Sequence, residues 1–217
     1  MRKFTRPKPS TLAQTASKAG LSQALLRAIQ EGSAKPTAEE AEKIAWSKRV
    51  PGGSALLSPC GGYRYTLTRD IDLPAPSARK CLFIMLNPST ADGLTDDPTI
   101  RRCKAFCQSW SCCQLTVVNL FAMRSTDPKL LLAALEPSGP DNYRHLSEQL
   151  NAHNGHLVVA AWGANPASRR ALIMQVLVSR FNPLCLGETA TGTPSHPLYL
   201  PKDAQLRAWT LPKKGNP

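Results

Sequence analysis

Two short stretches far apart in the chain could bring an amide and an imidazole to one place. Leu86-Asn87-Pro88-Ser89 follows the apolar run Cys81 to Leu86, and Ser195-His196-Pro197-Leu198 lies near the C-terminus. The run is short, bounded by polar residues and ends in Asn-Pro, which is how a buried strand reads when it delivers its next residues to a loop. An amide and an imidazole meeting above one sheet edge could position and polarise a water, or stabilise a developing anion.

The elements needed for that meeting are legible in the hydrophobic pattern. Strands are predicted at Tyr63 to Arg69, Cys81 to Leu86, Leu115 to Asn119, His156 to Ala161 and Pro183 to Leu186. Helices are predicted near Thr99 to Gln108, Pro128 to Leu135, Asp141 to Ala152 and Pro166 to Val178. Such alternation implies an α/β fold with a mostly parallel sheet and ligands at the carboxyl ends of its strands. Each candidate falls there: Asn87 after one strand, Asn119 closing another in TVVNLFAMR, Trp162-Gly163 ending a third in VVAAWG, and His196 after the last in TGTPSHPLYL.

With 217 residues, the chain is long enough for one sizeable α/β domain and a small appendage. Its 27 Lys and Arg against 15 Asp and Glu give a formal charge of +12, which favours a polyanionic partner, nucleic acid first. The count of seven cysteines is odd and no secretory leader is legible, so a reduced cytoplasmic setting is expected. Cys103, Cys107, Cys112 and Cys113 cluster without a paired C-x-x-C. Cys103 and Cys107 fit a buried helix face as small apolar residues, so neither a metal nor a cofactor is expected.

Residues 1–50 carry ten Lys and Arg against four Glu, half the net charge. Arg2, Lys3, Arg6 and Lys8, interleaved with prolines, read as a basic arm, and three short helical stretches follow, the last opened by a Thr37/Glu40 capping box. The order LAQTASKAGLSQALLRAIQEG then KPTAEEAEKIA resembles the helix-turn-helix of phage repressors. That resemblance implies that Ser22, Gln23 and Arg27 face a DNA groove; packing of the same helices on the main domain is the alternative. Pro51 to Ser54 reads as a link, and the second domain as residues 54–217.

From Cys81 to Leu200 the chain resembles the uracil-DNA glycosylase superfamily, in which a water-positioning G-[IQ]-[ND]-P motif, L-N-x-V-L-T-V-R, L-W-G and H-P-S-P-L-S occur in this order. It also resembles a bacterial family of uncharacterised proteins marked by LNPSTAD, DDPTIRRC and VVNLFAMRSTDP. The first resemblance implies a three-layer uracil-DNA-glycosylase-like α/β fold with a small N-terminal helical segment. It implies that Asn87 orients the water, with Pro88 and Ser89 in the base pocket, that His196 donates to the leaving pyrimidine's carbonyl oxygen, and that Asn119 reads the base edge. Leu200 would be the wedge into the vacated stack, with Tyr199 as its alternative.

Each residue also has a structural role open to it. Asn87 could cap the turn before Pro88, Asn119 could cap its strand end, and His196 could be structural. An amide is no useful base, so Asp96 or Asp97 could supply one, although Asp97 could be only a helix N-cap. Arg101, Arg102 and Arg124 could bind phosphates or be solvated.

The resemblance departs at Ser89, which stands where strict uracil enzymes place an aromatic residue over the pyrimidine's 5-position. A small residue leaves room for a 5-substituent. The expected function is therefore a cofactor-free DNA glycosylase acting on a flipped, 5-modified pyrimidine such as the hydroxymethylated or glucosylated cytosine of phage DNA, in antiviral defence. The alternatives are a uracil or thymine mismatch repair glycosylase and a non-enzymatic helix-turn-helix DNA-binding regulator.

Overall fold

The computed structural model describes residues 52–212 except 75, 90, 92–95 and 128. The helical segment expected within residues 1–50, including Ser22, Gln23 and Arg27, lies outside the described residues. Among those described, no helix is long and apolar enough to cross a membrane.

Seven strands form one mixed sheet: β1 (Gly53–Leu57), β2 (Arg64–Asp70), β3 (Lys80–Met85), β4 (Gln114–Asn119), β5 (Leu157–Ala160), β6 (Leu184–Cys185) and β7 (Arg207–Ala208), in spatial order β1-β2-β4-β3-β5-β6-β7. The four central strands β4, β3, β5 and β6 are parallel, while β1, β2 and β7 join antiparallel. Four α-helices are described: α1 (Pro98–Ser109), α2 (Leu130–Ala133), α3 (Asn142–Ala152) and α4 (Leu172–Ser179). A 3₁₀ helix, Pro166–Ala171, leads into α4, so the single helix expected from Pro166 to Val178 is two, the first wound more tightly.

Alternate residues of β3 serve two cores. Leu82 and Ile84 join Leu146 and Leu150 of α3 and Met174 and Val178 of α4 on one face, while Cys81, Phe83 and Met85 join Ile100, Cys103, Phe106 and Cys107 of α1 on the other. With helices over both faces the run reads as continuously apolar, because neither side of the strand meets water. Cys103 and Cys107 are fully buried in α1, as expected of small apolar residues. All seven cysteines are free, and no group of three or more metal-ligating side chains occurs among the described residues.

The expected link at Pro51 to Ser54 needs correction, because Gly53 and Ser54 open β1. A Cβ on Gly53 would lie 2.6 Å from the Thr68 carbonyl oxygen and 2.8 Å from Arg69 Cδ, so this glycine permits close strand contact. The chain passes from β3 to β4 on one side, then crosses back to β5 on the other. That reversal opens a crevice at the carboxyl ends of the parallel strands.

Candidate functional site

A cleft of about 770 Å³ lies at these strand ends, within the range of about 300–1,000 Å³ common for small-ligand sites. Asn87, Ser89, Asp97, Asn119, His196, Tyr199 and Leu200 all line it. Residues more than 100 positions apart therefore meet because parallel strands deliver them to the same edge.

Asn87 is held in one orientation. Its Nδ2 donates to the carbonyl oxygens of Pro88 at 3.0 Å and Ser125 at 2.9 Å. Both amide hydrogens are thus engaged, and Oδ1 is the polar atom left to the cleft, an acceptor able to orient a water. The buried Pro88 contributes its carbonyl, which also accepts from the Ser125 backbone N–H at 2.9 Å, so the turn is tied to the loop after β4.

His196 is half-buried and caps a 3₁₀ turn, Pro197–Tyr199. The Leu198 backbone N–H donates to its Nδ1 at 3.3 Å. Burial lowers its pKa, and the Asp97 carboxylate opposes this only in part, so the ring is neutral at pH 7. With Nδ1 accepting, the neutral ring carries its proton on Nε2, a donor available to a ligand. Gly163 sets the approach to this side chain: its φ is +77°, and a Cβ there would lie 3.1 Å from His196 Cβ. The Gly163 N–H also donates to the Pro194 carbonyl at 3.0 Å, joining the end of β5 to the histidine loop.

Asn119 closes β4 with only 1% of its surface exposed, yet neither Nδ2 nor Oδ1 has a hydrogen-bond partner among the described residues. Leaving such a group unsatisfied costs about 1–3 kcal/mol. Unpaired buried polar atoms at a cleft wall are what a ligand-reading amide requires before its ligand arrives.

The carboxylates divide. Asp97 caps α1, its Oδ1 accepting from the Ile100 N–H at 2.9 Å, and it also faces the cleft. Asp96, the other carboxylate considered for the base, is outside the cleft lining, held by Arg69 at 2.7 Å and Lys104 at 2.9 Å. Burial opposes its charge, but those two cations outweigh burial and keep its carboxyl below the ordinary range.

The arginines also have local partners. Arg102 donates from Nε to the Pro197 carbonyl at 3.4 Å and from Nη2 to the Leu200 carbonyl, latching the histidine loop to α1. Arg124 Nη1 donates to the Gly61 carbonyl at 3.2 Å, and Arg101 Nη1 to the Asp96 carbonyl at 2.7 Å. None of the three lines the cleft. Leu200 packs against the α1-side core, which fits a wedge poorly; Tyr199 is 83% exposed at the cleft, its ring 5.5 Å from that of His196.

Three contributors escape sequence reasoning. Arg64, buried at the start of β2, lines the cleft and donates through Nη1 to the Ala91 carbonyl. Its neighbour Tyr65 is buried too, so simple strand alternation hides it. Asn142 at the start of α3 donates from Nδ2 to the carbonyls of Asn119 at 3.0 Å and Leu120 at 3.1 Å, fixing the end of β4. Asn165 lines the cleft while its Oδ1 caps the 3₁₀ helix at the Ala167 N–H, 2.9 Å away. Polar residues at a helix start could have signalled the last two.

The fold is α/β, with a cleft at the carboxyl edge of the parallel strands at the centre of a mixed sheet. The chain belongs to the DUF1643 family, described as proteins of unknown function, whose model matches residues 64–198. No curated protein matches the chain, and no solved structure does. The matched span includes every cleft residue named above except Tyr199 and Leu200.

Burial lowers the pKa of His145 and His153 as well as His196. Below the ordinary value of about 6.5, the unfolded chain binds protons that the folded chain refuses, so stability increases with pH in that window. Melting temperature is therefore expected to fall as pH drops from 7 through 6.5 toward the lowered folded values. His153→Gln should flatten part of that slope, and an unchanged slope in the variant would remove His153 from the account.

Proposed function

We propose that this chain is a DNA glycosylase of uracil-DNA-glycosylase-like fold, which hydrolyses the N-glycosidic bond of a pyrimidine extruded from duplex DNA. The observation that carries the reading is the buried Asn119 amide, without a partner among the described residues, in a cleft lined also by Asn87, whose Oδ1 is an acceptor, and by a neutral His196, whose proton is on Nε2. Base chemistry needs those three functions together: a group that orients water, a donor for the departing base and an amide to read its edge.

In the proposed step, the C1′–N1 bond stretches and its electron pair passes into the base, with negative charge growing on the pyrimidine carbonyl oxygen. His196 Nε2–H hydrogen-bonds that oxygen without giving up its proton. Asn87 Oδ1 accepts from a water whose oxygen bonds to C1′, and the Asp97 carboxylate takes the water's surplus proton. Because Asp97 Oδ1 is tied to the Ile100 N–H, Oδ2 is the oxygen assigned to that transfer. The base departs as its anion and takes up a proton from solvent while Asp97 returns its own to solvent, so the products are the neutral base and an abasic site, and no cofactor takes part.

Ser89 on the cleft wall favours a 5-substituted pyrimidine, such as the modified cytosines of phage DNA, and so a role in antiviral defence within the cytoplasm. The +12 charge suits a duplex partner, and residues 1–50 supply half of that charge.

The test is to incubate the protein with phage DNAs carrying different cytosine modifications and with unmodified DNA, then identify released bases by mass. Release of a modified cytosine base is expected. Preferential uracil release would instead make it a repair enzyme, and DNA binding with no release from any duplex would make it a non-enzymatic binder. Ser89→Tyr should abolish release of a large 5-modified base while sparing or raising any release of uracil. Overpacking typically costs about 1–3 kcal/mol, and more where the substituent needs the same space. Equal loss on large and small bases would show that the substitution damages the water-positioning turn.

A further inference from the structure

Three side-chain amides surround the end of β4, and they are not equivalent. Asn87 donates both amide hydrogens to carbonyls, at 3.0 and 2.9 Å. Asn142 does the same, at 3.0 and 3.1 Å. Each is therefore fixed, because a half-turn of the amide would set its oxygen against two carbonyl oxygens. Asn119, buried between them in sequence and facing the cleft, has no such anchor on either Nδ2 or Oδ1 among the described residues.

We infer that Asn119 is a reversible reader, able to turn its amide over and accept both cytosine-type and uracil-type edges, so that the site selects its substrate by the 5-substituent and not by the 4-position. This rests on the glycosylase reading. Cytosine presents an acceptor at N3 and a donor at N4, whereas uracil presents a donor at N3 and an acceptor at O4. An amide offers one donor and one acceptor side by side and matches either pattern after a half-turn. An anchored amide would meet one of the two bases with like groups opposed, and a site committed to one hydrogen-bond pattern can reject a mismatched analogue by as much as about 10⁴-fold. The substrate class is then 5-hydroxymethylated or otherwise 5-extended pyrimidines of both kinds.

The test uses the full chain and measures binding, so that the different leaving abilities of cytosine and uracil do not enter. Two duplexes carry 5-hydroxymethylcytosine or 5-hydroxymethyluracil on a 2′-fluoroarabinose, which resists base loss, each opposite an abasic site so that extrusion is equally easy. A third duplex carries an abasic analogue in place of the base. Both base-bearing duplexes are expected to bind more tightly than the third, with dissociation constants within about 5-fold of each other. Asn119→Leu, similar in size and without polar atoms, should weaken both by a similar factor of about 10 or more while the melting temperature stays level or increases, since no buried unpaired amide remains. A purely structural Asn119 would instead lower the melting temperature in that variant and leave the base-dependent affinity unchanged. A difference of 100-fold or more between the two bases would overturn the inference and leave the glycosylase reading standing. No base-dependent affinity for either duplex would overturn both.

Discussion

His196→Ala and Asn87→Ala are each expected to lower the rate of base release by on the order of 10²-fold or more, with DNA affinity nearly unchanged. In the proposed step the histidine would supply a preorganised donor whose benefit is greatest in the transition state, when charge reaches the base oxygen; losing one such donor typically costs about 10²–10³-fold. In the same step Asn87 would contribute through the geometry of water attack, and its loss should also appear in the rate rather than in affinity. His196→Ala removes the weak 3.3 Å contact from the Leu198 N–H and a ring contact with the largely exposed Tyr199, so the melting temperature should stay close to the parent's. Asn87→Asp is not a route to a stronger base, because it would set a carboxylate oxygen against the Pro88 and Ser125 carbonyls that now accept from Nδ2. Single-turnover kinetics of base release from the duplex on which the parent is most active would check this. Activity within a few-fold of the parent in both alanine variants would remove the proposed site.

Gly163→Ala should separate a conformational cost from a catalytic one. Placing an L-residue at a φ of +77° costs about 1–2 kcal/mol, and the new methyl would also crowd His196 Cβ from 3.1 Å. Gly155→Ala provides the control, since Gly155 has a φ of +83° with nothing within 4 Å of its would-be Cβ. Both variants should melt at lower temperature, Gly163→Ala by at least as much as Gly155→Ala. Only Gly163→Ala should lose catalysis, by about 10- to 100-fold, because a displacement of about 1 Å at a catalytic group can cost as much as 10²-fold. Equal activity in the two variants would show that the glycine admits the loop without positioning the histidine.

The parallel core was legible because both faces of its strands are buried. Cys81 to Leu86 and Leu115 to Asn119 differ from the observed strands by a single residue at each displaced end. Asp97-Pro98 located the start of α1 through cap chemistry, and Asp141 marked the start of α3 within one residue. The antiparallel margins were harder. Gly53 looks like a linker residue, and β7 is a two-residue strand with both side chains exposed, so its place is set by pairing with β6. Within the site, Asn87, Asn119 and His196 were readable as strand-end polar residues. The uses of Asp96 and Arg102 were not, since an ion pair with Arg69 or a bond to the Leu200 carbonyl depends on contacts across the fold that periodicity does not encode.

The matched family span stops at residue 198 and begins at 64, whereas the sheet extends past both limits. β1 lies before that span, and β7 after it, together with Trp209. The Trp209 indole donates to the Gly192 carbonyl at 2.9 Å and meets Trp162 edge-on at 4.9 Å, directly under the loop that carries His196. A fragment trimmed to 64–198 would bare β2 and β6 as unpaired edges, the kind of surface through which chains aggregate. It would also withdraw the tryptophan that props the histidine loop. For expression and crystallisation, the smallest fragment worth making therefore extends at least from Gly53 to Trp209, and a fusion partner belongs beyond those ends.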